Sequence, residues 1–133
     1  MKKLLIASFL LLGIASGGFA QHQNAKVIAL VNKASWCPVC QANGPRFEKN
    51  IMPMVMENKN VQMVMNDLSN DETKASSMDM LEKAGIAKFA KKNTATGMLY
   101  FLDSKSKKLI SKISLAETDK EIKQALQAAL SKG

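Results

Sequence analysis

Apolar residues along this chain occur either in short unbroken runs or at the spacing of a helix face, and the two patterns alternate. The run from Ala25 to Val31 has almost no polar interruption, which predicts a strand covered on both faces. Two later runs, Val61–Met65 and Met98–Leu102, predict a second and a third strand. The segment from Lys108 to Leu115 alternates between apolar and polar positions, as a half-exposed edge strand does.

Helical patterns lie between and after these strands. A first helix is predicted from the two cysteines through Asn58, kinked at Gly44-Pro45 and kinked or interrupted again at Pro53. A second helix is predicted from Glu72 to Ala84, followed by Gly85 and a short helical piece from Ile86 to Lys92.

The final helix begins with a capping box, in which the side chains of Thr118 and Glu121 satisfy each other's backbone N–H groups. Its apolar residues then recur at i, i+3, i+4, i+7 and i+8 and line one face. The predicted order is β-α-β-α-β-β-α. This order indicates an α/β fold with a central mixed four-stranded sheet flanked by helices on both faces.

The first 20 residues have the three parts of a secretory signal. Two lysines precede an apolar core from Leu4 to Ile14, and the segment ends in the small-residue exit Gly18-Phe19-Ala20. The apolar core is shorter than the roughly 20 residues that a membrane-spanning helix needs. We therefore predict a cleaved signal peptide at 1–20, a single domain at 21–133, a periplasmic location and no stable membrane insertion of the mature protein.

The chain is basic, with a formal net charge of +8. Residues 1–20 carry two lysines and no acid, so the mature domain keeps +6. The lysine clusters at Lys91-Lys92 and Lys105–Lys108 are not interleaved with aromatic residues, so nucleic acid is not an expected partner. A basic surface favours acidic partners or a membrane face.

The candidate chemistry lies in Trp36-Cys37-Pro38-Val39-Cys40, which contains the chain's single tryptophan and its two cysteines. The segment joins the first strand to the first helix. A cysteine at a helix N-terminus is favoured as a thiolate by the unpaired N–H groups and the helix dipole. A second cysteine about one turn later can displace a disulfide formed on the first. Pro38 suits the first helical turn because it has no N–H to lose there.

Two other classes of function stay open at this point. The methionines at 52, 54, 56, 63, 65, 78 and 80 form closely spaced pairs, and thioethers and thiolates suit Cu(I), so a copper-binding protein or metallochaperone is one alternative. Residues two apart on a helix face different ways, however, and methionine is also a common core filler. A non-catalytic binding module is the other alternative. A zinc or iron–sulfur site needs about four protein ligands, so we expect no metal and no cofactor.

The chain resembles the thioredoxin family. The resemblance rests on Trp36-Cys37-x-x-Cys40, on Pro45 eight residues after the first cysteine, on the segment Asn66–Ser69, and on the closing hairpin and helix. It implies a thiol–disulfide oxidoreductase in which Cys37 is the exposed nucleophile and Cys40 the resolving cysteine. It also implies protein substrates that carry disulfides or thiols, a separate redox partner, and a reducing rather than an oxidising role.

The chain departs from the family pattern at the positions around the cysteines. Thr96 occupies the place of the family's cis-proline, so we expect a trans peptide there and an altered substrate groove. The family's buried carboxylate falls at Val31 and its lysine at Met65, which leaves Cys40 without an obvious base unless Asn32, Lys33 or water assists. The residues expected to bind substrate are Trp36, Pro38, Ala95, Thr96 and Gly97, beside the catalytic Cys37 and Cys40.

Overall fold

The computed structural model describes residues 24–133, so the predicted signal peptide at 1–20 lies outside the described residues. The strands are β1 (Val27–Lys33), β2 (Val61–Asp67), β3 (Met98–Asp103) and β4 (Leu109–Ser114). The helices are α1 (Pro38–Asn50), α2 (Met52–Glu57), α3 (Asp71–Lys83), α4 (Ala87–Lys92) and α5 (Asp119–Leu130). No helix within 24–133 is both long and apolar enough to cross a bilayer.

The four strands form one sheet in the order β2-β1-β3-β4. Strand β2 runs parallel to β1, whereas β3 is antiparallel to both β1 and β4. This is the mixed four-stranded sheet that the hydrophobic pattern predicts, with β1 in the interior and β4 at one edge. The unbroken apolar run of β1 follows from this position, because nearly every residue of the strand is buried.

Each face of the sheet carries its own hydrophobic core, and alternate residues of β1 contribute to the two cores. One core includes Val27, Ala29 and Val31 and is completed by helices α1, α2 and α5. The other includes Ile28 and Leu30 and is completed by α3 and α4. The predicted three-layer arrangement, with helices on both faces, is therefore confirmed.

The first helical region is divided into two helices close to the second of its two prolines, Pro53. Helix α1 continues through Pro45, and the break falls at Ile51, so that Pro53 lies in the first turn of α2. A proline in a first turn costs no hydrogen bond, because the N–H there has no partner within the helix. The predicted interruption near Pro53 is therefore confirmed, and the end of α1 lies slightly before it.

Helix α5 begins as its sequence predicts. The hydroxyl of Thr118 accepts from the backbone N–H of Glu121, and the Glu121 carboxylate accepts from the backbone N–H of Thr118. Arg46 of α1 reaches this end of α5, where its guanidinium pairs with Asp119 and donates to the carbonyl oxygen of Leu115 at 2.6 Å. This contact fixes the helix that carries the cysteines against the C-terminal helix.

Candidate functional site

Cys37 and Cys40 lie where the sequence places them, at the junction of β1 and α1. Cys37 is the N-cap of α1, and its sulfur accepts from the backbone N–H of Cys40 at 3.2 Å. The Cys40 thiol also points at this sulfur, with the two Sγ atoms 2.6 Å apart. Pro38 is the first residue of the helix, as predicted. The two sulfurs are thus close enough for disulfide formation without rearrangement of the backbone.

The surroundings shift the pKa values of the two thiols in opposite directions. Burial alone would raise the pKa of Cys37, but hydrogen bonds from the Cys40 thiol, the Thr96 hydroxyl and backbone N–H groups outweigh it, so the pKa is lowered from the ordinary 9.0. Burial and the neighbouring Cys37 sulfur raise the pKa of Cys40. Cys37 is therefore the first of the pair to ionise, and Cys40 supplies one of the donors that hold its charge.

The solvent exposure of the two cysteines differs from what the family resemblance implied. It implied that Cys37 is exposed, yet Cys37 is only 2% exposed and Cys40 is the more accessible of the two. The cause is the close approach of Val39 to Gly97. A Cβ at position 97 would lie 2.7 Å from Val39 Cγ1 and 3.5 Å from the Cys37 sulfur, so only glycine leaves room for this packing.

Thr96 lies beside Cys37, as predicted for the residue that replaces the family's cis-proline. Its hydroxyl hydrogen-bonds to the Cys37 sulfur. All peptide bonds between residues 24 and 133 are trans, in agreement with the expectation for this position. Thr96 therefore contributes a hydrogen-bond donor to the sulfur where the family has an apolar ring.

Asn32 holds the loop that carries Thr96, a role that sequence analysis missed. This fully buried amide donates to the carbonyl oxygens of Asn93 at 2.7 Å and Ala95 at 3.1 Å. Its own oxygen accepts from Asn66 at 2.9 Å. Asn32 is thus engaged on the loop and on β2, and it does not serve Cys40 as the sequence analysis suggested. A buried asparagine at the end of an otherwise apolar strand was the available signal.

The residues expected to bind substrate divide into two groups. Trp36 is 59% exposed beside the dithiol, so it is free to act as an apolar platform rather than as a packing residue. Ala95 and Thr96 lie in the loop held by Asn32. Within 24–133, the backbone N–H and C=O of Thr96 have no hydrogen-bond partner. An extended peptide could therefore pair with Thr96.

Gly97 does not offer its backbone to a substrate, and that prediction is wrong. Its N–H donates to the carbonyl oxygen of Asn32 at 2.8 Å, and its C=O accepts from the N–H of Leu115 at 2.8 Å. These bonds join the loop to the sheet, so both polar groups are already used. Gly97 instead acts through its missing side chain and its positive φ of 72°.

A cleft of about 340 Å³ opens beside Cys40, and we call it the Cys40 cleft. Its lining is Val31, Lys33, Ala34, Ser35, Cys40, Gln41, Gly44, Pro45, Phe47, Glu48, Met65, Asp67, Ser69 and Leu115. Val31 and Met65 both line it, so the positions predicted to replace the family's carboxylate and lysine do lie near Cys40.

An ion pair that sequence analysis missed lies two residues further along the same strands. Lys33 and Asp67 face the Cys40 cleft and approach each other to 3.8 Å. Burial alone would raise the pKa of Asp67, but hydrogen bonds from Ser69 and the charge of Lys33 lower it. The Asp67 carboxylate is therefore ionised and already interacts with Lys33 and Ser69, which makes it a weak proton acceptor for Cys40.

The methionines are distributed over both cores. Met52, Met54, Met63 and Met65 pack against the core beneath α1 and α5, whereas Met78 and Met80 pack against the other one. Met78 and Met80 thus lie on the opposite face of the sheet from the other two pairs, and all six methionines are partly buried packing residues. Within the described range, no group of three His, Cys, Asp or Glu side chains is arranged to hold a metal ion.

The sequence matches no known family model and no curated protein. Solved structures do resemble this one. A protein from Bacteroides thetaiotaomicron, described as a proposed protein disulfide isomerase, is 20% identical with a TM-score of 0.53, covering 80% of this chain and 74% of its own. Thioredoxin from Wuchereria bancrofti is 20% identical with a TM-score of 0.49 over 80% and 83% of the two chains. Trxlp from Edwardsiella tarda is 14% identical with a TM-score of 0.49 over 79% and 85%.

Structural similarity at these sequence identities gives information about the fold alone. The comparison with the Bacteroides thetaiotaomicron protein agrees with the architecture described above. The mixed four-stranded sheet and the dithiol at the end of β1 are those that the sequence analysis predicted. The chain has the thioredoxin-like fold.

Proposed function

We propose that this protein is an exported thiol–disulfide oxidoreductase. The observation that carries the proposal is the pairing of Cys37 and Cys40, whose sulfurs are 2.6 Å apart and whose pKa values are shifted in opposite directions. Such a pair combines a stabilised nucleophile with a neighbouring thiol that can complete the exchange.

In the proposed reaction, the Cys37 thiolate attacks one sulfur of a substrate disulfide and expels the other as a thiolate. Cys40 then loses its proton and attacks Cys37, which releases the second substrate sulfur and leaves a Cys37–Cys40 disulfide. Two electrons pass from the dithiol to the substrate. Trp36 supplies an apolar surface, and the free backbone groups of Thr96 accept an extended substrate chain.

Because Cys37 is 2% exposed, a substrate sulfur reaches it only when a neighbouring group moves aside. We propose that small movements of the loop at 94–96 admit it. This loop has few backbone hydrogen bonds beyond those to Asn32. The proposed substrates are therefore exposed disulfides in extended or flexible protein segments.

We propose the reducing direction and a periplasmic location. The segment between β2 and β3 contains helices α3 and α4, without the additional helical domain that the resemblance associates with dedicated oxidants. The location rests on the signal-like pattern of residues 1–20.

The test uses the mature protein together with Cys40→Ser and Cys37→Ser. With a disulfide-containing peptide, Cys40→Ser should accumulate a mixed disulfide on Cys37, because no resolving thiol remains. Cys37→Ser should trap far less, because the pKa of its remaining thiol is raised. The reduction potential of the wild-type pair then gives the direction: a value near −270 mV indicates a reductase and one near −120 mV a disulfide donor.

A wild-type protein that never closes an intramolecular disulfide would contradict the exchange mechanism. In that case Cu(I) binding becomes the leading alternative, since Met65 lines the same cleft as Cys40. Titration of the reduced protein with Cu(I), with Met65→Leu as the matched variant, would then test it.

A further inference from the structure

The ring of Trp36 has no contact of its own that would fix its position. It is 59% exposed, and within the described part of the chain neither the indole nor the backbone of Trp36 makes a hydrogen bond. An exposed side chain without partners changes rotamer freely, within the limits that the position of its Cα sets. What holds the ring beside the dithiol must therefore act on the backbone of the neighbouring residues, Ser35 and Cys37.

Ser35 is held at both of its backbone polar groups by side chains from other parts of the fold. Its N–H donates to the hydroxyl of Ser69 at 2.8 Å, and its carbonyl oxygen accepts from the side-chain amide of Gln41 at 2.7 Å. Ser69 lies in the turn between β2 and α3, and Gln41 lies on α1. Ser35 is itself exposed, so these hydrogen bonds and not packing determine where it lies. We call Ser69 and Gln41 the Ser35 clamp.

The Lys33–Asp67 ion pair orients the Ser69 half of the clamp. The Ser69 hydroxyl donates to the Asp67 carboxylate, and the backbone N–H of Ser69 donates to the same oxygen at 3.0 Å. The other carboxylate oxygen lies 3.8 Å from the Lys33 ammonium group. Because the hydroxyl proton is directed at Asp67, a lone pair of the Ser69 oxygen remains for the N–H of Ser35. The ion pair thus fixes Ser69 as an acceptor.

The two sulfurs are held by contacts that do not involve the clamp. The N–H of Cys37 donates to the carbonyl oxygen of Ala34 at 3.2 Å, and Ala34 is buried in the core. The N–H of Cys40 donates to the Cys37 sulfur. Loss of the clamp should therefore release Trp36 and leave the dithiol in place.

We propose that Ser69 and Gln41 are positioning residues for the substrate: by holding the backbone of Ser35, they keep Trp36 where the peptide chain of a substrate packs on its ring. The inference rests on the proposed exchange activity and adds to it two residues that touch neither sulfur. A side chain that binds substrate needs such supporting hydrogen bonds when packing does not hold it.

Four variants separate this role from a merely structural one. Ser69→Ala removes the acceptor for Ser35, whereas Ser69→Thr keeps a hydroxyl. Gln41→Met keeps the length of the side chain and removes its N–H donor. Ser77→Ala is the matched control, because the Ser77 hydroxyl accepts from the backbone N–H of Asp67 at 2.9 Å and makes no contact with Ser35. It deletes a hydroxyl from the same region and leaves the clamp intact.

The first experiment measures steady-state reduction of an uncharged peptide disulfide. Ser69→Ala and Gln41→Met should each raise KM about threefold, the effect of one partly exposed hydrogen bond, with kcat unchanged. Ser69→Thr and Ser77→Ala should keep the wild-type KM. The pH dependence of Cys37 alkylation should be the same in all five proteins, because the sulfurs do not move.

The second experiment observes the ring directly. Trp36 is the only tryptophan of the chain, so time-resolved fluorescence anisotropy reports on this ring alone. Ser69→Ala and Gln41→Met should show a larger nanosecond component than wild type, Ser69→Thr and Ser77→Ala.

Wild-type KM and wild-type anisotropy in both clamp variants would overturn the inference. So would a fall in kcat at constant KM, because the clamp would then act on the sulfurs. Both results leave the exchange function in place. Failure of the wild-type protein to reduce the peptide disulfide at all would instead contradict the proposed function itself.

Discussion

Replacing Thr96 by valine removes the hydroxyl that hydrogen-bonds to the Cys37 sulfur and keeps the shape of the side chain. A hydrogen bond to a charged group is worth about 1.5 kcal/mol at the lower end of its range. Below the pKa of Cys37, loss of that bond should reduce the thiolate fraction about tenfold. The more basic thiolate is a better nucleophile, and a Brønsted coefficient of about 0.4–0.5 restores about threefold of the rate. The net expectation is an alkylation rate about threefold lower at fixed pH.

The assay is the pH dependence of iodoacetamide alkylation of reduced protein, with the modified residue identified by mass spectrometry. Thr96→Val should move the Cys37 profile to higher pH, whereas Thr96→Ser retains a hydroxyl and should follow wild type. A valine profile that superimposes on the wild-type one would refute the reasoning. So would an equal shift in the serine variant, because the cause would then be packing and not the hydroxyl.

The same substitution should change stability in a pH-dependent way. The pKa of Cys37 is lower in the folded than in the unfolded chain, so its ionisation stabilises the fold. This contribution is complete above the ordinary thiol pKa of 9.0 and is lost as the pH falls through the folded-state value. Thr96→Val should therefore lose more free energy of unfolding at alkaline than at acidic pH, as denaturant titrations at both pH values can show.

Four further substitutions test the surroundings of the dithiol. Gly97→Ala should destabilise the protein by about 2 kcal/mol or more, since the new Cβ meets Val39 and the backbone φ is positive. Gly44→Ala should stabilise the protein by about 0.5–1 kcal/mol, because the new Cβ points into open space within a helix. Denaturant titrations in which both glycine variants changed the free energy of unfolding in the same direction would contradict the packing argument. Asn32→Ala should cost about 3 kcal/mol in the same titration, because buried polar groups on the loop and on β2 lose their partner; a cost below about 1 kcal/mol would argue against its role. Trp36→Ala should leave the free energy of unfolding within about 0.5 kcal/mol of wild type, because the ring is 59% exposed, yet lower kcat/KM for a peptide disulfide and not for a small uncharged one. An equal loss of kcat/KM with both substrates would show that the Trp36 ring does not contact the peptide chain of the substrate.

Much of the fold could be predicted from the sequence because its signals are local. The unbroken apolar run of β1 shows that both of its faces are covered, and the capping box shows where α5 begins. The dithiol at a strand–helix junction likewise follows from neighbouring residues. Each of these features depends on residues close together in the chain, so periodicity and spacing reveal them.

The arrangement around the dithiol depends on contacts between distant segments, which local patterns do not show. The covering of Cys37 requires Val39 of α1 to approach Gly97 of the loop before β3. The role of Asn32 depends on its partners, the carbonyl groups of the loop and Asn66 on the adjacent strand, and the apolar run around Asn32 does not show which groups these are. The exposure of the cysteines was therefore predicted incorrectly, although the identity and spacing of the pair were predicted correctly.

The central position of β1 has a consequence for how the site moves. Amide hydrogens of a strand paired on both sides and buried on both faces exchange with solvent only when the whole domain opens. The backbone N–H groups of residues 94–96 have no partner within the described part of the chain and should exchange through local fluctuations. The cysteines are thus attached to the slowest-exchanging strand of the protein and face one of its fastest-exchanging loops. Motion near the dithiol should accordingly come from the loop at 94–96 that carries Thr96, while the two sulfurs keep their positions relative to the sheet.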